Sequence, residues 1–225
     1  FPTADLKDAF MNLPHLGVRG FSVTTPWKRE IIKHADALDE LAEEIQSVNT
    51  LVLEGSTWKG YNTDVTGILE GYPFLSKAKS VGIAGTGGVV PALIYAARKS
   101  GVQKITVYGR NEAMCKELGD YFLVETAPLE NLGSTLHDVL FWAIPDDLPV
   151  TLPPVGERHS YAVDLRYAES TRFITMAEEL GYDTVNGLPM LLHQAFAQFK
   201  LFTGIATDDN LFLSLFHSLK KHGKQ

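Results

Sequence analysis

The sequence predicts an α/β protein built on a parallel sheet, with a smaller α/β lobe ahead of it. Three observations carry that reading. From residue 80 onward, short apolar strands alternate with helical stretches. A glycine turn, Gly85-Thr86-Gly87-Gly88, lies between one of those strands and the helix that follows. Before residue 64 the rhythm is irregular, an amphipathic stretch and then a hairpin, which marks a separate unit.

The elements follow in order. Residues 28–46 read as one amphipathic helix. Ile31, Ile32, Ala35, Leu38, Leu41 and Ala42 recur at helical spacing with charges between them, and Pro26 stands just ahead. Residues 51–53 and the Trp58 region read as a hairpin turning at Glu54-Gly55-Ser56. Residues 80–85 form an apolar strand. The glycine turn leads into a helix over 91–99, with Pro91 near the first position, where its missing N–H costs little. Further strands fall at 104–108, 139–143, 161–165 and 184–185, and Cys115 lies on an intervening helix. Two helices close the chain. The first, 188–202, is apolar nearly all round. The second, 208–221, is amphipathic, capped by Asp208-Asp209-Asn210 and ended by Lys220-Lys221. The strand rhythm starts beyond residues 64–67 and runs out near Leu191, which sets the domain boundaries.

Composition narrows the function. With 225 residues, 45% hydrophobic and 21% charged, the chain is globular and buries a real core. Its one cysteine excludes an intramolecular disulfide and a multi-cysteine zinc site, and it suits a reducing compartment such as the cytoplasm. The net charge of −7 and the lack of a basic block give no electrostatic support for nucleic acid or an anionic membrane. A small anionic ligand needs only a few placed cations. No apolar run reaches membrane-spanning length; the best attempt, residues 81–97, holds four glycines and a proline. No charged n-region precedes an apolar core, so no signal peptide is visible. The seven histidines show no metal-ligand spacing, and no metal is expected. There is no internal repeat.

A glycine loop between a strand and a helix is the context a dinucleotide requires. Small residues let the backbone approach a pyrophosphate, and the helix N-terminus supplies amides and positive dipole. The other reading is a purely structural turn, and the third fingerprint position is the bulky Val90. The next strand ends in Tyr108-Gly109-Arg110, 23 residues after Gly87, with an arginine where an NAD site places an acid. That favours a 2′-phosphate, hence NADP.

Ahead of the loop, Thr24-Thr25-Pro26-Trp27-Lys28, Ser47-Val48-Asn49-Thr50 and Gly60-Tyr61-Asn62-Thr63-Asp64 offer a cation, a carboxylate, carboxamides and hydroxyls. Such a set suits a polyhydroxylated anionic molecule, and a lysine beside an aspartate can hold or relay a proton. Spacing alone leaves the bland alternative open: a solvated lysine, an Asx-turn at Asn62 and an N-cap at Asp64.

On these motifs the chain resembles the shikimate dehydrogenase family. The family's Asn-Val-Thr-x-Pro-x-Lys appears as Ser22 to Lys28, with serine at the first place. Its Ala-Val-Asn-Thr appears as Ser47 to Thr50, and its Gly-Tyr-Asn-Thr-Asp as Gly60 to Asp64 unchanged. Its Gly-x-Gly-Gly is Gly85 to Gly88, and its Asn-Arg-Thr keeps only Arg110. Its Asp-x-x-Tyr is Asp164 to Tyr167, with Thr171 beyond. Its Gly-Leu-x-Met-Leu-x-x-Gln-Ala is Gly187 to Ala195.

The resemblance implies a Rossmann-like, parallel-sheet NADP domain at 65–191. A smaller α/β substrate domain is formed by 1–64 and 192–225, where the last helices return to the first lobe. It implies NADPH-dependent, reversible reduction of 3-dehydroshikimate to shikimate by a cytoplasmic monomer or homodimer. Lys28 and Asp64 would be the catalytic pair at the substrate's C4 hydroxyl and neighbouring carbonyl. Thr24, Asn49 and Gln194 would hydrogen-bond the substrate, and Tyr167 would approach it from the nucleotide domain. Gly85, Thr86, Gly87, Gly88 and Arg110 would hold the cofactor, with Gly187 near the nicotinamide.

Two departures shape the expectations. The family's early Ser-x-Ser, followed by His-Asn, has no counterpart here. The first strand and helix of the substrate domain are therefore expected ahead of Phe1, in a longer protein such as a fusion with 3-dehydroquinate dehydratase; failing that, the carboxylate clamp is lost. The family's Asn-Ala-Thr-Ser-x-Gly is replaced by Trp142 to Asp147, keeping only Ala143, and the two new acids are expected to face solvent. Two alternatives stand beside the leading reading. One is an NAD-dependent quinate/shikimate dehydrogenase; the other is a non-catalytic binding protein on the same scaffold. His193 is expected to pack on its helix rather than face the cleft, and Trp27 either lines the pocket or simply packs.

Overall fold

The computed structural model describes residue 10, residues 12–168 and 170–206, and residues 208, 210, 211, 214, 215 and 218. Two sheets organise it. The first holds β1 (Gly20–Ser22), β2 (Ala37–Leu38), β3 (Thr50–Glu54) and β4 (Thr57–Tyr61) in the order β1-β3-β4-β2. β3 and β4 form the expected hairpin, with Val52 opposite Lys59 and Gly55 at φ 66° in the turn. Left-handed backbone there is what glycine supplies without steric cost. Phe10, Val23, Ile31, Ala42, Val48, Leu51 and Trp58 fill the core behind this sheet. Trp27 packs at its edge, one of the two placements the sequence left open for it.

The single helix expected over 28–46 does not form. Its place is taken by a 3-10 turn at Glu30–His34, strand β2 and the short helix α1 (Glu40–Ile45). The break falls at Asp36. Its amide donates to the Trp58 carbonyl at 2.9 Å, and its carboxylate accepts from the Trp58 amide at 2.7 Å. Three residues on, the Asp39 carboxylate caps α1 by accepting from the Ala42 amide at 2.8 Å. Both aspartates prefer such local bonds to a helix interior. Burial on one side runs through the break, from Ile31 to Ala42, and so mimics one helical period.

The second sheet is parallel throughout, in the order β10-β9-β8-β5-β6-β7. Its strands are β5 (Ser80–Ala84), β6 (Lys104–Gly109), β7 (Glu125–Pro128), β8 (Val139–Trp142), β9 (Tyr161–Asp164) and β10 (Asp183–Asn186). From β5 the chain winds outward to β7, then crosses back to β8. The strand ends of β5 and β8 therefore flank the switch point, where open α/β sheets bind ligands. Helices α3 (Val90–Lys99), α4 (Glu112–Phe122) and α5 (Arg172–Glu179) cover the sheet.

Two helices join the lobes, α2 (Asp64–Gly71) and α6 (Leu188–Thr203). They pack on each other through glycine. A Cβ at Gly67 would lie 2.7 Å from the Met190 carbonyl oxygen, and one at Gly71 would lie 2.9 Å from the Met190 amide nitrogen. Contacts with backbone cannot swing away, so only glycine permits this approach. Beyond α6, the Leu211 amide donates to Asp208 Oδ1 at 2.7 Å, the cap expected for the helix over 208–221. Asp209 and Lys220-Lys221, the rest of that expectation, lie outside the described residues. Among the described residues no helix is long and apolar enough to cross a membrane.

Candidate active site

The three polar motifs of the first lobe converge on one point. Lys28 Nζ lies 2.6 Å from Asp64 Oδ2, with only 13% and 5% of the two side chains exposed. Each is placed by its own segment. Lys28 lies in the turn that follows β1, and its carbonyl accepts from the Val48 amide at 2.8 Å. Asp64 opens α2, where the positive helix end favours a carboxylate. Asn62 fixes that start: its carbonyl oxygen accepts from the Asp64 amide at 3.0 Å, and its Nδ2 donates to the Ser47 carbonyl at 2.9 Å.

Asn49 binds the pair from below. Its Nδ2 donates to Asp64 Oδ1 and to Thr63 Oγ1, both at 2.9 Å. Its Oδ1 accepts from the Thr63 amide at 2.8 Å and from the Thr50 hydroxyl at 2.7 Å. Both amide protons are thereby committed to protein. Gln194 Oε1 reaches Asn49 only at 3.5 Å, and Gln194 Nε2 donates to the Leu191 carbonyl one turn back. The glycine contact of α2 with α6 is what carries Gln194 to Asp64, since a Cβ on Gly67 would also meet Gln194 Cβ at 3.0 Å.

These groups line a cleft of about 620 Å³ between the two sheets, together with Thr24, Gly87, Gly88, Tyr167 and Gly187. Tyr167 overhangs it, 60% exposed. Desolvation of its hydroxyl end, and then the Asp64 carboxylate, raise its pKa. At Gly187 a Cβ would collide with the Leu165 carbonyl, so the backbone itself forms the wall. The Gly187 amide donates to the Arg166 carbonyl at 2.9 Å.

A second cavity, about 850 Å³, shares Gly87, Ala143, Ile144 and Pro145 with the first. It continues past Gly85, Thr86 and Gly109 to Arg110. Gly85 adopts φ 125°, and a Cβ there would press on the Ala143 carbonyl; a Cβ on Gly87 would meet only open space. Gly88 lies against the Lys28 side chain, and the Ser47 hydroxyl donates to the Gly88 carbonyl at 2.9 Å. The loop thus bridges the lobes as it turns into α3. Among the described residues, Arg110 is the one cation lining this second cavity, and Asn111 beside it is spent on capping α4. An open glycine face, a helix N-terminus and a cation fit a phosphorylated dinucleotide. Gly109 explains why the asparagine of the resembled motif is absent: a Cβ there would lie 2.5 Å from Cys115 Sγ and 2.6 Å from Thr86 Cγ2.

All twelve expected site residues therefore line one cavity or the other. The altered stretch behaves differently from its polar counterpart. Trp142 is buried, stacked on Phe173 at 4.9 Å, and its Nε1 has no hydrogen-bond partner among the described residues. Asp146 and Asp147 face solvent, and Asp147 pairs with Arg166. His193 is half-buried on α6 and does not line either cavity; burial first, against a smaller opposing effect of Glu70, lowers its pKa. Sequence reasoning missed Ser22 and Gln198, which line the cleft as a bonded pair at 2.9 Å, and it gave Arg166 no role. The signal for Arg166 was its place just past a parallel strand end.

Residues 1–51 match the family described as the shikimate dehydrogenase substrate binding domain, and residues 187–207 match the shikimate 5′-dehydrogenase C-terminal domain. Shikimate dehydrogenase (NADP(+)) of Caldanaerobacter subterraneus subsp. tengcongensis is 31% identical over 219 residues, covering 88% of this chain and 77% of that protein. The crystal structure of shikimate 5-dehydrogenase from Thermus thermophilus in complex with NADP(H) and shikimate superposes with a TM-score of 0.81 at 27% identity. It covers 97% of this chain and 85% of that one. Quinate dehydrogenase from Corynebacterium glutamicum in complex with NAD has the same TM-score, 0.81, at 29% identity, over 95% and 83% of the two chains.

Proposed function

The chain belongs to the shikimate dehydrogenase family, and from that premise we propose that Lys28 and Asp64 are the catalytic pair of an NADP-dependent oxidoreductase interconverting shikimate and 3-dehydroshikimate. The observation that carries this reading is the 2.6 Å Lys28–Asp64 contact at the head of the interlobe cleft. Residues 1–64 and 192–225 bind the substrate, and 65–191 bind the cofactor.

Bound NADP accepts or supplies the hydride. This chain's residues handle the oxygen and its proton. As a carbonyl is reduced its oxygen gains negative charge, which a nearby cation stabilises and a nearby donor quenches. The Lys28 ammonium has three N–H groups, and Asp64 takes one of them, leaving donors for substrate oxygens. Asp64 holds the ammonium in place and accepts from a neighbouring hydroxyl. Asn49 keeps the Asp64 carboxylate from swinging. Thr24 and Gln194 hydrogen-bond the remaining ring hydroxyls, and Tyr167 closes over the substrate from the cofactor side. Gly85, Thr86, Gly87 and Gly88 with the start of α3 hold the pyrophosphate, Arg110 the 2′-phosphate, and the Gly187 backbone borders the nicotinamide.

The lone cysteine and the small polar substrate fit a cytoplasmic enzyme, acting as a monomer or homodimer. Oxidation of shikimate, followed by NADPH absorbance, tests the reading. Activity with NADP supports it; quinate oxidation with NAD, and none of shikimate with NADP, overturns it.

A further inference from the structure

Arg166 is the most heavily bonded side chain at the cleft that the proposed chemistry leaves unused. Its Nε and Nη2 grip the carboxylate of Asp164 at distances of 2.7–3.1 Å. Asp164 is fully buried at the end of β9 and also accepts from the Thr171 hydroxyl at 2.7 Å. From the same Nη2, a second bond reaches Asp147 Oδ1 at 2.8 Å, and Nη1 points to the Pro145 carbonyl at 3.5 Å. The Arg166 carbonyl receives the Gly187 amide. One residue thus ties together the end of β9, the loop after β8 and the turn before α6. What it holds matters. Ile144 and Pro145 form the wall shared by the two cavities, Tyr167 is the next residue along the chain, and Gly187 lies opposite.

We propose that Arg166 is a positioning residue for the cofactor. It pins the Ile144–Asp147 loop, through Asp147, as the wall against which the nicotinamide half of the dinucleotide seats. This rests on the NADP-dependent reading above. The guanidinium suits the role because its planar fork satisfies one carboxylate bidentately and still reaches another, which an ammonium cannot do. The arrangement also accounts for the two acids at the cofactor cleft. Asp147 is matched by Arg166, whereas none of these Arg166 bonds goes to Asp146.

The acids give a test with opposite signs. If Asp146 and Asp147 act only as negative charge near a phosphorylated ligand, Asp146→Asn and Asp147→Asn each tighten NADPH binding. If Arg166 positions the loop through Asp147, Asp147→Asn weakens it about threefold, because the amide oxygen still accepts from Arg166 and only the charge of a part-exposed ion pair is lost, while Asp146→Asn leaves it equal or tighter. The dissociation constant for NADPH is measured by titration calorimetry without substrate, with the thermal midpoint recorded alongside. In turnover, the Asp147→Asn loss falls on KM for NADP rather than on kcat. Arg166→Lys, which keeps the charge and loses the fork, shows the same weakening, and the double variant adds nothing to it. Tightening in both asparagine variants, no change in either, additive losses, or an unaltered protein that does not bind NADPH each overturns the proposal. Because calorimetry needs no shikimate, failure of shikimate turnover with the expected pattern of affinities would remove the substrate assignment and leave Arg166's role standing.

Discussion

Replacing Asn49 by alanine separates two roles for that residue. The family resemblance makes it a substrate ligand; the geometry makes it the clamp of Asp64, with both amide protons already committed at 2.9 Å. Asn49→Ala strips the Asp64 carboxylate of one donor and leaves the buried Thr63 amide without its acceptor. Unsatisfied buried groups cost about 1–3 kcal/mol each, and water entering from the cleft recovers part, so the net loss is about 2–4 kcal/mol. For a chain of this size that is roughly 5–15 °C in thermal midpoint. An Asp64 free to shift by about an ångström costs on the order of a hundredfold in rate. Calorimetric melting and steady-state kinetics with shikimate read both effects. The expected result is a lower midpoint and a lower kcat with KM for shikimate within about threefold. A rise of tenfold or more in that KM, at unchanged midpoint and kcat, would show that Asn49 binds the substrate directly and refute the clamp.

Three other outcomes are expected. Arg110→Ala raises KM for NADP about 10- to 100-fold and leaves that for NAD nearly unchanged, since only the phosphorylated ribose needs the cation; equal losses with both cofactors would remove Arg110 from the 2′-phosphate. Gly67→Val, by forcing a side chain against the Met190 carbonyl, lowers stability in urea by about 3 kcal/mol or prevents folding; a fully stable variant would contradict the close α2–α6 packing. His137 is buried beneath the sheet, its Nε2 2.8 Å from the Tyr108 hydroxyl, and burial above all, aided by Lys104, lowers its pKa to about 4. In the unfolded chain it takes a proton near pH 6.5, so below that the unfolded state binds more protons. Stability is therefore full above about pH 6.5 and falls as pH drops towards 4, by up to about 3 kcal/mol. Urea titrations at about pH 7, 5.5 and 4 check this, and a flat profile would refute it.

The βαβ half of the molecule was legible because its strands are buried on both faces and read as plain apolar runs, as Val139 to Trp142 do. β7 is not legible in the sequence because Glu125 to Pro128 is a largely exposed edge strand with no apolar run. In the first lobe, residues 28–46 show how one-sided burial can carry a 3.6-residue rhythm across a strand. The site was legible through its motifs, which place Lys28, Asn49 and Asp64 at the ends of three separate segments; their meeting depends on tertiary packing that spacing does not encode. Arg166 was invisible for a related reason. Its partners, Asp147 and Asp164, lie on two neighbouring strand exits, and a surface arginine would look the same in sequence.

The most direct measurement compares Lys28→Ala, Asp64→Asn and the double variant in NADP-dependent shikimate oxidation, with NADPH affinity measured in each. If the two residues work as a unit on the substrate's oxygen and proton, each single change lowers kcat by about a thousandfold, the double change lowers it little further, and NADPH binding stays within about threefold. Either variant retaining more than about a tenth of the unaltered kcat, or fully additive losses, would contradict a shared catalytic role for Lys28 and Asp64.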